Sequence, residues 1–238
     1  MDKFLLGEDL DDVLTIAPNP DKNITASQPE PELLQWGLKW QIVISVVISL
    51  IAFTSVVGNS MVVTVIVRHR GMRTRTNMFL CGLALNDLLC SFINMPIALV
   101  TVIYGGWIFN EATCHINAFF SQFSYATSMH ILMYLALHKL FSILRPFSQT
   151  VTHFRVLLLV VAAVCWASII SYLSVQVLNS ASYRTGNIRC TLHFPESPRS
   201  YFLEIFTFAT CFVLPVFIMI LCYSMMCCEI KVIFELSS

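Results

Sequence analysis

The residue best placed to do chemistry is a single carboxylate in the middle of an apolar run. Asp87 stands in MFLCGLALNDLLCSFINMPIALV, the start of a run from Met78 to Val102. A charge at the centre of a bilayer costs about 3 kcal/mol on insertion scales, and such groups are kept mainly where they bind an ion or relay a proton. The plainer reading is a neutral Asp87 hydrogen-bonded to Asn59 in the preceding run. A second polar concentration lies between Cys114 and Pro146, in CHINAFFSQFSYATSMHILMYLALHKLFSILRP. A lone lipid-facing helix cannot carry so many polar groups without a large desolvation penalty, so other helices or a wet cavity must surround it. Ser121, Tyr125, Ser128, Leu132, Leu135 and Lys139 recur at steps of four and three, which puts them on one helical face. The sequence predicts a central helix with that face turned to a polar interior.

Other chemistries find no support. Asp87 is the only carboxylate expected to be buried in a predicted span and has no second buried carboxylate as partner for acid–base work, and no Ser/His pair falls on a predicted common site; an intramembrane enzyme is not expected. No CxxC or other metal-ligand spacing occurs among the nine cysteines. Cys81, Cys90, Cys165, Cys211 and Cys222 sit in apolar runs and read as small buried hydrophobes. Cys227 and Cys228 close the last run and read as packed or free thiols, with acylation the alternative. Cys114 and Cys190 fall at loop-side ends of spans on the same side of the membrane. No basic patch interleaved with aromatics points to nucleic acid.

The elements that must position these groups are membrane helices. The chain of 238 residues is 57% hydrophobic and 12% charged, against about 25% charged in soluble domains. Its start lacks the basic and apolar regions of a cleavable signal. Residues 1–39 hold eight acids, three lysines and four prolines, a composition favouring a disordered tail. Asn23-Ile24-Thr25 is a sequon for N-glycosylation. Five spans of sufficient length follow, near residues 40–67, 78–102, 114–144, 154–178 and 201–228, within a bundle covering 40–232, with 233–238 as a cytoplasmic end. Arg68, Arg70, Arg73 and Arg75 crowd the first connection and place it on the cytoplasmic side, so the acidic tail and Asn23 are expected outside. Trp107 is expected at the membrane interface, Pro96 is expected to kink the second span, and Gly58 with Ser60 reads as a close helix approach.

These landmarks, taken in order, resemble rhodopsin-like (class A) G-protein-coupled receptors over roughly residues 40–232. Gly58-Asn59 resembles the GN motif of the first helix, and Leu83-Ala84-Leu85-Asn86-Asp87 the LxxxD of the second. Trp107 fits the WxF motif of the first outer loop, and Cys114 the cysteine opening the third helix. Trp166 matches the Trp of the fourth helix, Cys190 the cysteine of the second outer loop, and Pro215 with Tyr223 the Pro and Tyr of the fifth. The resemblance implies an all-α membrane protein: five transmembrane helices of a seven-helix receptor bundle, N-terminus outside, multi-pass in the plasma membrane. It implies a Cys114–Cys190 disulfide and an allosteric sodium ion at Asp87, Ser128, Asn59 and Ser124. No other cofactor or metal is expected. A ligand pocket is expected at Ser121, Gln122, Tyr125, Thr207 and Cys211, without the carboxylate that amine receptors place where Ser121 stands.

Two departures qualify the resemblance. The Asp/Glu-Arg-Tyr motif falls on His138-Lys139-Leu140. A flexible point charge replaces a rigid five-donor fork, and His138 is no fixed anion to restrain it. His138, Lys139 and Tyr223 would mark the G-protein face. The sixth helix, with its Pro and Trp, and the seventh, with NPxxY, have no counterpart. The sequence is therefore read as part of a receptor that in intact form binds an extracellular ligand and signals to heterotrimeric G proteins. Two other readings remain: a five-helix isoform that associates with full-length receptors and holds them in the endoplasmic reticulum, and a channel or transporter whose flux would vanish in Asp87→Ala.

Overall fold

In the computed structural model, the residues described are 37–145, 152–177, 181–184, 186–192 and 198–237, all within one compact unit, 31–238. Asn23, the rest of residues 1–36 and Pro146 lie outside them. The elements are α1 (Leu38–Arg68), α2 (Arg75–Ile103), α3 (Glu111–Leu144), α4 (His153–Tyr172), a two-residue hairpin of β1 (Ala181–Ser182) and β2 (Thr191–Leu192), α5 (Pro198–Phe208) and α6 (Leu214–Ser237). α4 runs on into a π-helical turn, Leu173–Val177, and a second such turn, Ala209–Val213, joins α5 to α6. Among the described residues, five helical stretches are long and apolar enough to cross a membrane: Leu38–Arg68, Arg75–Ile103, Glu111–Leu144, His153–Val175 and Tyr201–Lys231.

Local chemistry sets the ends. Thr74, Asn110 and Thr152 cap α2, α3 and α4, each side-chain oxygen accepting from the backbone N–H three residues on (Asn77, Thr113 and Arg155, at 3.3, 2.9 and 3.3 Å); such caps satisfy donors that the first turn leaves bare. α2 stops at a glycine turn. Gly105, with φ of 70°, donates to Val102 O at 3.1 Å and Gly106 to Thr101 O at 3.0 Å, the paired Schellman bonds that a left-handed residue permits. The π turn at 209–213 ends just before the buried Pro215. Proline lacks the N–H that would bond the Cys211 carbonyl, and its ring crowds that carbonyl, so the ladder widens there instead of breaking.

α3 is the hub. In its most apolar stretch 44% of residues are buried, against 6% in α1; it packs on α2, α4 and α6, and β1 lies against it. Its most buried residues include Asn117, Ala118, Ala126, Thr127, Ile131 and Ala136, small or compact groups distributed around the helix that let neighbours approach closely on several sides. The face expected to look inward is only half covered. Tyr125 and Lys139 are exposed, Ser121, Ser128 and Leu132 half-buried, and only Leu135 fully buried. α2 reaches this face at Ser128, whose Oγ accepts from Asn86, and nearby the Tyr125 ring meets Phe212, centroids 6.4 Å apart.

Two packing expectations are corrected. Gly58 is no contact point, since an added Cβ there meets nothing within 4 Å. The close approach is at Gly82, where a Cβ would lie 3.1 Å from Val160 Cγ1, because α2 crosses α4 there. Cys165, read as buried, is exposed on α4. Trp107 is half-buried, its ring stacked on Tyr183 at 5.8 Å and meeting the edge of Phe109 at 5.1 Å. Gly82→Leu is expected to cost about 1–3 kcal/mol, the usual penalty of overpacking, whereas Gly58→Ala is expected to be neutral or mildly stabilising because Ala is the better helix former. Thermal unfolding of the two purified variants in detergent checks the contrast.

Candidate functional site

Two polar systems lie along α3, one at mid-helix and one at its Cys114 end. At mid-helix the organising group is Asn86, fully buried on α2. Its Nδ2 donates to Ser124 O at 2.9 Å and to Ser128 Oγ at 2.8 Å. Asp87, one residue on, points elsewhere and is half-buried. Among the described residues its carboxylate has no hydrogen-bond partner, and only its backbone carbonyl is engaged, accepting from Ser91 Oγ at 2.8 Å. Ser91 Oγ also lies 2.7 Å from Ser55 Oγ. Asn59 donates to Ser55 O at 2.9 Å and to Ser55 Oγ at 3.2 Å, so its amide is spent on its own helix and not on Asp87. Ser124 Oγ is buried without a partner.

This donor set fits a small hard cation in part. The Asp87 carboxylate, the orphaned Ser124 Oγ and the remaining lone pair of Ser128 Oγ are the oxygen ligands such an ion takes. The Asn59 amide has turned to Ser55, and Asn86 already claims one side of Ser128.

The second system braces the mouth of the bundle. Cys114 and Cys190 form a disulfide with Cα atoms 5.4 Å apart. One turn along α3, Asn117 is wholly buried. Its Oδ1 accepts from the Cys190 backbone N–H at 3.1 Å, and its Nδ2 donates to Asn94 Oδ1 on α2 at 3.2 Å. Asn94 Nδ2 in turn approaches Cys90 Sγ at 3.6 Å. The segment carrying Cys190 is thus fixed to α3 covalently and to α3 and α2 by hydrogen bonds. Ala118, Val175 and Ala181 pack around the sulfur atoms, with Trp107, Phe119 and Tyr183 outside them. His115 and Glu111, 3.8 Å apart, form only a solvent-screened pair.

The expected pocket residues divide. Ser121, Gln122 and Tyr125 border the half-open face of α3. Thr207 is buried with its hydroxyl unpartnered. Cys211 is buried, packed among Phe123, Ala126, Ala167 and Ile170, with Trp166 beside it. At the arginine-rich end, Lys139 and Tyr223 are exposed and His138 is half-buried, its ring 5.9 Å from Phe79. Lys139 has no anionic partner among the described residues. Leu140, in the place of the motif tyrosine, is buried against Cys222 and Met226 of α6.

Asn86, Asn94 and Asn117 are the working residues that sequence reasoning passed over. The signal was present: Asn86, Cys90 and Asn94 recur every four residues on one face of α2, and Asn117 lies three residues after Cys114, on the disulfide's own side of α3.

A helical membrane bundle hung on one polar central helix, with Cys114 near its start tied by a disulfide to the segment that follows α4, is the architecture of a heptahelical receptor. Sequence comparison agrees, since the 7 transmembrane receptor (rhodopsin family) profile matches residues 58–236. The chain belongs to the rhodopsin family of seven-transmembrane receptors. It is 28% identical over 211 residues to the cholecystokinin receptor type A of Rattus norvegicus, covering 85% of this chain and 46% of that protein. It is 26% identical to the tachykinin-like peptides receptor 86C of Drosophila melanogaster, covering 84% and 41% respectively. Against the melanopsin of Felis catus it is 31% identical over 188 residues, 74% of this chain and 37% of that protein. The chain therefore spans less than half the length of these curated relatives.

Proposed function

We propose that this chain is the five-helix portion of a plasma-membrane receptor that binds an extracellular ligand, of peptide type, and activates a heterotrimeric G protein in its intact form. The observation that carries the reading is the half-open polar face of α3, with Ser121, Gln122 and Tyr125 along it and an unpaired Asp87 on neighbouring α2. Such groups call for further helices beside them. The peptide class rests on two relatives whose names specify cholecystokinin and tachykinin-like peptides. The orientation has residue 37 outside and the four-arginine connection in the cytoplasm, by the distribution of basic residues. The test is the transcript beyond Ser238. Two further apolar spans, the first with Pro and Trp and the second with NPxxY, are expected. The encoded product, expressed with a G-protein dissociation sensor, is expected to respond to peptides of these two classes. If every transcript stops at Ser238, the second reading replaces the first. In that reading the same open face docks on full-length receptors and retains them in the endoplasmic reticulum, as falling surface delivery on co-expression would show.

Within this reading, sodium is held by Asp87 with Ser124 and Ser128, where it would neutralise the carboxylate. Unfolding in NaCl compared with equal KCl is the direct check. A site occupied at ten times its dissociation constant adds about 1.4 kcal/mol. The wild type is expected to show a sodium-specific rise of that order, and Asp87→Asn to show none.

A further inference from the structure

Three soft donors meet at the arginine-rich end, where α2 and α4 border one recess. Met78 and Cys81 stand three residues apart on α2, so one face of the helix presents both sulfur atoms. His153, the first residue of α4, lines the same recess, and its Nδ1 lies 3.1 Å from Met78 Sδ. The Cys81 thiol lines the recess with them and is free. We propose that Met78, Cys81 and His153 form a three-coordinate site for a soft monovalent metal ion, copper(I).

The ligand types decide the ion. Thioether, thiolate and imidazole are donors that suit copper(I), whereas magnesium, calcium and manganese take oxygen. Among the described residues no carboxylate lines the recess, and Arg73 does. The other walls are apolar, Ile66, Leu85 and Val160 among them, and such surroundings favour a complex without net charge. Copper(I) on one thiolate is neutral, because the cation takes the place of the thiol proton, which leaves to solvent; no electron moves. A divalent ion on the same ligands would keep one positive charge, which Arg73 would oppose further. The contact between His153 and Met78 fits the same reading. Two facing lone pairs would repel, so a positive group stands between Nδ1 and Sδ: a proton on Nδ1 in the metal-free protein, and the metal ion in its place once bound. Bond lengths of about 2.0 Å to nitrogen and 2.3 Å to sulfur, as for zinc, put two such ligands about 3.7 Å apart in a trigonal site, so the ring and the thioether need to part by about 0.6 Å. Both are free to move that far, since His153 is exposed at the start of its helix and methionine has three rotatable bonds. The exposed ring also gives the ion its way in.

The test uses the purified full chain, without oxygen, with copper(I) supplied as its acetonitrile complex in competition with the chelator bicinchoninate. One ion per chain is expected to bind ahead of any other, with X-ray absorption showing one nitrogen and two sulfur neighbours. Loss of a group that only orients a metal ligand weakens binding by about 10–100-fold, and loss of a ligand itself does no less, so Met78→Leu, Cys81→Ser and His153→Gln are each expected to weaken binding about tenfold or more. Cys165→Ser and the double variant Cys227→Ser/Cys228→Ser, whose thiols are exposed outside the recess, are expected to keep the wild-type affinity. Unchanged affinity in Met78→Leu and His153→Gln overturns the proposal, because the thiol then binds alone. So does an equal loss in either control, which assigns the ion to a surface cysteine, or an absorption spectrum without a nitrogen neighbour.

Discussion

Cys114→Ser and Cys190→Ser are each expected to destabilise the bundle by about 2–4 kcal/mol, and reductant is expected to bring the wild type to the same stability. The bond closes a loop with a sequence separation of 76. In the chain-entropy account a loop of that size contributes about 4 kcal/mol by restricting the unfolded state. A membrane helix bundle recovers less than a soluble chain, because α3 and α4 stay threaded through the bilayer when tertiary packing is lost and the denatured loop is already confined. Packing adds back part of the difference. Both sulfur atoms are buried among Ala118, Val175 and Ala181, and a serine hydroxyl there has no partner to replace water. Unfolding followed by tryptophan emission suits the measurement, since Trp107 packs against this cluster. A loss under 1 kcal/mol in both variants would mean that the hairpin is held by its other contacts alone.

The reach of sequence reasoning in this chain follows the range of the interactions. The helices were legible because length and hydropathy are local properties, whereas the caps Thr74 and Asn110 and the Gly105-Gly106 turn that set their ends were not read. The central role of α3 was legible from its polarity, which only burial among other helices can tolerate. What the pattern did not settle is which polar face meets which neighbour. Periodicity alone selects a face without assigning it a partner: Ser128 of the expected face does meet α2 through Asn86, while Tyr125 and Lys139 of the same face are exposed. The same limit explains the exchange of Gly58 for Gly82. Both are glycines in spans, and only the crossing of α2 over α4 distinguishes them. Asp87 drew attention by its charge, yet the mid-helix polar contact between α2 and α3 is made by Asn86, an uncharged neighbour about 100° away around the helix.

The second large effect is expected at Asn117. Asn117→Leu keeps the branched shape with somewhat more volume and removes both hydrogen bonds, leaving the buried Cys190 N–H and the half-buried Asn94 Oδ1 without their partner. Each abandoned buried group costs about 1–3 kcal/mol, whereas interhelical hydrogen bonds within bilayers average nearer 0.6 kcal/mol because the denatured chain also finds partners. The position at the mouth, beside a loop with little alternative inside the membrane, favours the upper figure for Cys190 and the lower for Asn94. The total expected loss is about 2–3 kcal/mol, with Asn94→Leu near 1 kcal/mol. The test with most content is a double-mutant cycle with Cys114→Ser. Once the covalent tie is cut, the Cys190 segment is no longer held against α3 and the Asn117 bond loses its preorganisation. The combined variant is therefore expected to fall short of the sum of the two single effects by about 1 kcal/mol or more, beyond what independent sites show. Strict additivity would mean that hydrogen bond and disulfide hold different parts of the fold, and that the brace at the mouth is not a single unit.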